Sequence, residues 1–256
     1  MIFYLSCTGN TKWAAEAISK ATGERMINMA ETESGETSYT LDGDERIGFC
    51  FPVHGWRPPK IVRDFVRRLE ISGADGHYCY ALCTAGDTIG ETIDIMRADL
   101  KARGIRLDSA FSLLMPESYV GLPFMDVDKP ENEKRKKDKA ATKLKKAIEA
   151  ITAKRQGTED LDIGHWPRIN SRLIGGVFTK YMITDKPFRV TADKCVKCGA
   201  CVKACPIGNV TPDEHGKPTW NLDGSCLACF SCYHHCPTHA IEYGNRTKHK
   251  GQYFYK

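Results

Sequence analysis

Short apolar runs alternate with amphipathic stripes from the first residue, the pattern of an open parallel sheet with helices on its faces. Ile2 to Leu5 suits a central strand. A helix is expected from Thr11 to about Ala21, because Ala14, Ala17, Ile18 and Ala21 share one face and Gly23 stands at its C-cap. Arg25 to Met29 reads as the second strand and Ile47 to Val53 as the third. Glu31 to Glu45 has no helical apolar period, so that crossover is expected as a loop with little helix. Pro58-Pro59 opens a helix carrying Ile61, Val62, Phe65 and Leu69, since a first turn has no use for the missing N–H. His77 to Thr84 is the fourth strand. Thr88 and Glu91 form a capping-box pattern before a helix with Ile89, Ile93, Met96 and Leu100 inward and Gly104 as its stop, and Ile105 to Met115 supplies the fifth strand. The pattern predicts a doubly wound α/β domain with a parallel five-stranded sheet.

From Pro130 to about Gln156 one long helix is expected, with Ala140, Leu144, Ala147, Ile148 and Ile151 as its stripe. Lys134, Arg135, Lys136, Lys137, Lys139, Lys143, Lys145 and Lys146 crowd its other faces, as a solvated surface or as a docking face for an acidic redox partner. Thr158 to Trp166 reads as a linker. Leu173, Ile174, Val177, Phe178, Tyr181 and Met182 fit a short helix bracing two domains, its Gly175-Gly176 permitting close packing. Phe188 to Val190 opens a second, small α+β domain. The expected division is 1–156, a linker and brace at 157–186, a second domain at 187–245, and a polar, basic tail at 246–256 containing Tyr253, Phe254 and Tyr255.

Of the 12 cysteines in 256 residues, eight lie between Cys195 and Cys236, where a small domain needs staples. Cys7, Cys50, Cys79 and Cys83 are scattered, and read as small buried hydrophobes, with Cys83, beside the Thr84–Asp87 loop, the one to watch. Met1 to Leu5 shows no basic leader and no apolar run is long enough to span a bilayer, so a cytoplasmic location without membrane contact is expected. In that reducing compartment, closely spaced cysteines bind metal more often than they form disulfides.

Those eight cysteines form a repeat: Cys195-x2-Cys198-x2-Cys201-x3-Cys205-Pro206, then Cys226-x2-Cys229-x2-Cys232-x3-Cys236-Pro237. Zinc also takes four cysteines, but gives no reason for a third cysteine two residues after the second, nor for a proline after the fourth, in duplicate. The repeat resembles the bacterial ferredoxins that carry two [4Fe-4S] clusters. In that family the fourth cysteine of each run ligates the opposite cluster. The resemblance therefore implies one cluster on Cys195, Cys198, Cys201 and Cys236, and another on Cys226, Cys229, Cys232 and Cys205. Gly199 would allow close backbone approach to sulfide, while Leu227, Ala228 and Phe230 would shield the second cluster. His234 and His235 are expected at the surface.

Directly after the first strand, Ser6-Cys7-Thr8-Gly9-Asn10-Thr11 leads into a helix. Such a corner offers backbone N–H groups and a positive helix end to a phosphate, with the hydroxyls of Ser6, Thr8 and Thr11 and the Asn10 amide as further donors. This resembles the phosphate loop of flavodoxins, and implies FMN. Flavodoxin-like folds place the ligand at the C-terminal ends of the strands. Pro52-Val53-His54-Gly55-Trp56, Thr84-Ala85-Gly86-Asp87 and Met115-Pro116-Glu117-Ser118-Tyr119 would then surround the flavin ring. Trp56 or Tyr119 could stack on the ring, though Trp56 equally suits a surface anchor. Gly55 matches the flexible peptide that meets the flavin N5, and Asp87 would lower the flavin potential unless it is an exposed turn residue.

Together these features resemble fused flavodoxin-ferredoxin proteins. Eight cluster-bound thiolates and a phosphate would bring the formal charge from +5 to about −1, so the basic count is no sign of nucleic acid. The implied function is an electron relay between FMN and two [4Fe-4S] clusters serving redox protein partners. Alternatives are an FMN-dependent reductase of a small molecule at the flavin and a redox sensor. No G-x-G-x-x-G occurs in the chain, so direct reduction by NAD(P)H is not expected.

Overall fold

The computed structural model describes residues 1–32 and 37–256. In chain order, β1 (Ile2–Tyr4) leads to α1 (Asn10–Thr22), β2 (Met26–Asn28), β3 (Ser38–Thr40), β4 (Ile47–Pro52), α2 (Lys60–Arg68), β5 (Glu70–Ser72) and β6 (Cys79–Ala85). Then follow α3 (Thr92–Lys101), β7 (Ser109–Leu114), α4 (Pro130–Thr152) and β8 (Thr158–Asp160). The main sheet has the order β2-β1-β4-β6-β7-β8, and every neighbouring pair is parallel. Without β8 this is the strand order of a flavodoxin-like fold, and its switch point lies between β1 and β4.

The sheet thus has six strands rather than five, because Thr158 to Asp160, expected as linker, pairs with β7. Its three polar side chains carry no hydropathic signal. Backbone bonds hold it and the following residues: Gly157 donates to the Asp108 carbonyl at 2.8 Å, and Ile89 and Gly90 donate to the carbonyls of Asp162 and Ile163 at 3.0 and 3.1 Å. The crossover expected as loop includes residues 33–36, which lie outside the described residues. Its described remainder contributes β3, which pairs with β5 in a separate parallel ribbon.

Alternation along the central strands splits the core between the two sheet faces. Phe3, Phe49, Phe51, Val62, Phe65, Met96 and Leu100 pack beneath α2 and α3, whereas Ile2, Ile18, Cys50, Tyr80, Leu82, Leu144 and Ile151 pack beneath α1 and α4. Full burial of one such side chain contributes roughly 1.5–3 kcal/mol. Gly48 makes room for Tyr80, whose hydroxyl a Cβ there would meet. Cys50, Cys79 and Cys83 are fully buried, as expected of small hydrophobes.

The capping box does not form. Helix α3 starts at Thr92 without a side-chain cap. The Thr88 hydroxyl instead accepts from Trp56 Nε1 at 3.0 Å, and the Glu91 carboxylate pairs with the Arg172 guanidinium at 2.8 and 2.9 Å. Both side chains are drawn to the chain that passes over this helix end. On α4 several lysines are already matched: Lys136 bonds Asp128 and the Gly86 carbonyl, Lys143 bonds Asp160 and Asp162, and Lys137 bonds Glu133.

A π-helical turn, Ile169–Ile174, continues directly into α5 (Gly175–Tyr181). The remaining elements are β9 (Phe188–Val190), α6 (Ala200–Ala204), β10 (Val210–Pro212), β11 (Pro218–Trp220), α7 (Ser231–His234) and β12 (Ile241–Tyr243). Antiparallel pairs β9–β12 and β10–β11 frame a core in which Phe188 stacks on Trp220 at 5.2 Å and meets Tyr243 edge-on at 4.8 Å. Among the described residues no helix is long and apolar enough to cross a membrane.

Candidate iron-sulfur and phosphate sites

The two cysteine loops repeat in backbone as well as sequence. Positive φ recurs at Lys197 and Gly199 in the first loop and at Ala228 and Phe230 in the second. Left-handed backbone is costly for Phe230, by about 1–3 kcal/mol, and its burial against Tyr119, Phe188 and Tyr243 offsets that cost. The fold gathers the eight cysteines into two sets of four. Cys195, Cys198, Cys201 and Cys236 line one hollow of about 380 Å³, partly open to solvent. Cys205, Cys226, Cys229 and Cys232 line another of about 300 Å³, beside Phe188, Trp220 and Phe230. In each set the fourth cysteine comes from the other run. Four sulfurs spread around a hollow suit a multi-iron cubane, and among the described residues no three Cys, His, Asp or Glu converge as a single-ion site requires.

Backbone amides point at the sulfurs: Asn209 donates to Cys205 Sγ at 3.2 Å, Ala228 to Cys226 Sγ at 3.4 Å, and Ala240 to Cys236 Sγ at 3.1 Å. Cys198 is exposed, whereas Leu227, Ala228 and Phe230 are buried around the second set, which is therefore the more shielded. Burial pushes the Cys226 thiol up to about 12, so it reacts with metal as thiolate only when the metal itself displaces the proton.

At the end of β1, Gly9 takes φ +92° and α1 begins without a side-chain cap. Among the described residues no acceptor bonds the amides of Thr8, Gly9, Asn10 and Thr11. Four unpaired N–H groups at a helix start fit a phosphate. The side chains expected as donors there also make bonds of their own, but only Asn10 is committed as a donor. Ser6 Oγ accepts from Lys12 N at 3.1 Å, Thr11 Oγ1 shares a 2.8 Å bond with Thr84 Oγ1, and Asn10 Nδ2 donates to the Pro116 carbonyl at 3.4 Å. The Ser6 hydroxyl keeps its hydrogen to donate, and the Thr8 hydroxyl has no hydrogen bond among the described residues.

Pro52 to Trp56, Thr84 to Asp87 and Pro116 to Tyr119 do follow β4, β6 and β7 on one side of the sheet. A Cβ on Gly175 would collide with the Gly55 carbonyl, so only glycine lets the π-helical segment settle on this loop. Phe178 of the same segment meets Tyr119 edge-on at 5.2 Å, and Tyr119 meets Phe230 at 5.3 Å. Trp56 is tied to Thr88, Asp87 is exposed, and burial lowers the His54 imidazole to about 4, leaving it neutral near pH 7. Glu117, raised by burial, accepts from the amides of Ser118 and Tyr119 at 2.9 and 2.8 Å.

Contacts unmarked in the sequence join the two sites. The neighbouring Cys229 sulfur, and after it burial, raises the Cys7 thiol well above its ordinary range. Ser231 Oγ donates at 2.9 Å to the Cys7 carbonyl and lies 2.8 Å from that of Ala204. Cys7, rather than Cys83, is thus the scattered cysteine with a special place. His234 is buried, not superficial: its ring bonds the Ser118 carbonyl at 2.7 Å and receives the Tyr253 amide at 3.1 Å.

The tail is docked. Gln252 Nε2 donates to the Cys236 carbonyl at 2.9 Å, His235 stacks on Phe254 at 4.2 Å, and Tyr253 Oη donates to Asn10 Oδ1 at 2.6 Å. The Tyr255 amide then donates to the Thr8 carbonyl at 2.7 Å, while its ring stacks on Trp13 at 5.2 Å. Three aromatic residues in a polar tail were the available signal, but a target could not be read from them.

These features define an iron-sulfur domain of the two-cluster type attached to a flavodoxin-like domain. Residues 194–241 match the family model described as a 4Fe-4S dicluster domain. Pyruvate synthase subunit PorD of Methanocaldococcus jannaschii is 40% identical over 60 residues, which are 23% of this chain and 69% of that one. A ferredoxin of Pyrobaculum islandicum is 43% identical over 52 residues, 20% of this chain and 48% of its own length. Through this segment the chain belongs to the 4Fe-4S dicluster ferredoxin family, here fused to a flavodoxin-like domain. Among solved structures, rubredoxin:oxygen oxidoreductase from Desulfovibrio gigas aligns with TM-score 0.31 at 14% identity, covering 58% of this chain and 35% of that one. The flavodoxin-like assignment rests on strand order, not on that distant likeness.

Proposed function

We propose that the chain is an electron relay in which FMN on the Ser6–Thr11 loop and two [4Fe-4S] clusters on the crossed cysteine sets carry electrons between redox protein partners. The hydrogen bond of Ser231 to the Cys7 carbonyl carries this reading, because Ser231 lines the hollow of the second cysteine set and Cys7 belongs to the Ser6–Thr11 loop, so the two candidate sites adjoin. When bound, FMN would supply one- and two-electron chemistry and each cluster one-electron steps. The four amides of Thr8 to Thr11 and the Thr8 hydroxyl would hold the phosphate. Phe178 and Gly175 cover the Gly55 loop, which favours a carrier over a reductase that must stack a small substrate there.

Anaerobic stopped-flow absorbance tests the relay. Dithionite or a low-potential reduced ferredoxin should bleach flavin and clusters together, and NADH or NADPH alone should not; rapid bleaching by NAD(P)H would favour a reductase. Thr8→Ala should weaken FMN roughly tenfold to a hundredfold, the loss of about one hydrogen bond to a charged group, and leave riboflavin binding unchanged. Equal loss for both, measured by fluorescence titration, would place the ring at this loop instead.

Cys7→Ala removes a thiol that neighbours a sulfur of the second cysteine set. Only the difference in that interaction between oxidised and reduced cluster moves the potential, and about 1 kcal/mol corresponds to ~40 mV for a one-electron couple, so that cluster's potential should fall by up to about that amount while the first is unmoved. EPR-monitored redox titration reads the two separately, and an unchanged pair of potentials would show that the thiol does not tune either.

A further inference from the structure

Residues 163–184 contain Arg168, Arg172 and Lys180 but no aspartate or glutamate. Across the π-helical turn and α5, Trp166, Ile169, Leu173, Val177 and Tyr181 recur at steps of three and four, which places them along one face. That face is turned to solvent: Trp166 is 72% exposed, Leu173 65%, Val177 50% and Tyr181 65%. A contiguous exposed apolar stripe rimmed by charge marks an interaction surface.

The opposite face is already committed and cannot exchange with it. Ser171 Oγ donates to the Trp56 carbonyl at 2.8 Å, Gly175 abuts the Gly55 carbonyl, and Phe178 packs on Tyr119. Arg172 is matched by Glu91, whereas among the described residues Arg168 and Lys180 have no ion-pair partner. A second copy of the chain would bring like charges together across this face, which disfavours self-association. The lysine-rich helix α4 is a poorer candidate: Lys136, Lys137 and Lys143 are held by the chain's own carboxylates, and beside its exposed Lys139, Lys145 and Lys146 no large apolar side chain of the helix is exposed among the described residues.

We propose that this stripe is the docking surface for an acidic redox protein, whose carboxylates meet Arg168 and Lys180 and whose apolar patch covers Leu173 and Val177. The proposal rests on the reading of the Gly55 loop as the flavin-ring site, directly beneath the segment. With FMN held there, one electron would pass from the partner's reduced iron-sulfur cluster to the flavin, with no bond made or broken. An anionic lipid surface would also accept Trp, Tyr and cations. It is the less suited occupant, since stable anchoring needs more than one short stripe with two free cations.

The experiment uses the full, cofactor-loaded chain and a reduced, strongly acidic two-cluster ferredoxin as probe. Two variants have only exposed positions changed: Leu173→Glu with Val177→Glu, and Arg168→Glu with Lys180→Glu. At low ionic strength each should slow second-order electron transfer at least tenfold, with unchanged cofactor content and unchanged reduction by dithionite. High salt should remove most of the charge-variant effect. Zero-length carbodiimide coupling should join Lys180 to a ferredoxin carboxylate, detected by mass spectrometry. That readout does not need flavin, so coupling in a chain that binds no FMN would overturn the flavin reading and leave the docking surface standing. Wild-type rates in both variants together with no coupling at Lys180 would overturn the proposal. So would sedimentation with phosphatidylglycerol vesicles that the Leu173→Glu, Val177→Glu variant abolishes while its ferredoxin rate stays unchanged.

Discussion

Replacing Cys205 by alanine should cost the chain the cluster whose other cysteines are Cys226, Cys229 and Cys232, and spare the one nearer to Cys205 in sequence. Cys205 lines the same hollow as those three, and the Asn209 amide that bonds its sulfur lines that hollow as well. Anaerobically reconstituted protein should fall from about eight to about four iron and sulfide per chain. The EPR signal that remains should be that of the solvent-open cluster on Cys195, Cys198, Cys201 and Cys236. Cys236→Ala should give the mirror result and leave the shielded cluster. If the damage follows sequence proximity instead, with Cys205→Ala destroying the first cluster, the two sets are not crossed.

Replacing Tyr253 by alanine is expected to have the second largest effect. The side chain is 5% exposed, its hydroxyl is bonded to Asn10, and Lys137 lies 5.3 Å above its ring. Removing an aromatic side chain from such a place costs about 3 kcal/mol, which for a chain of this size lowers the melting temperature by roughly 6–12 °C. Tyr253→Phe keeps the packing and removes only the donor to Asn10, at about 1 kcal/mol. Anaerobic calorimetry of the cofactor-loaded protein distinguishes the two. Identical melting of all three proteins would mean that the tail is not docked in solution.

The sheet was legible because its central strands are buried on both faces, and Ile47–Pro52 and Cys79–Ala85 advertise this as apolar runs. Thr158–Asp160 has no apolar side chain, and its place in the sheet comes from backbone bonds that hydropathy does not register. The cysteine spacing likewise showed two runs of four, and the resemblance to ferredoxins implied that their fourth members cross. The surroundings of those sets were not legible. His234 reads as a surface residue until Ser118, more than a hundred positions away, supplies the carbonyl that fixes its ring. The Thr88 and Glu91 pair failed for the same reason, because Trp56 and Arg172 compete successfully for both side chains. Local pattern identifies what a residue can do, and contacts between distant segments decide what it does.

The docked tail also sets an order of assembly. Tyr253 and Asn10 are separated by 243 positions, and the tail reaches Asn10 only after passing Tyr233, His234 and Cys236. The phosphate loop can therefore take its final form only after residue 255 has been synthesised and α7 is in place. Contacts of such long separation close late, after the local α/β units have folded. A chain cut short of this segment would then keep a complete sheet while the loop after β1 lacked its outer layer.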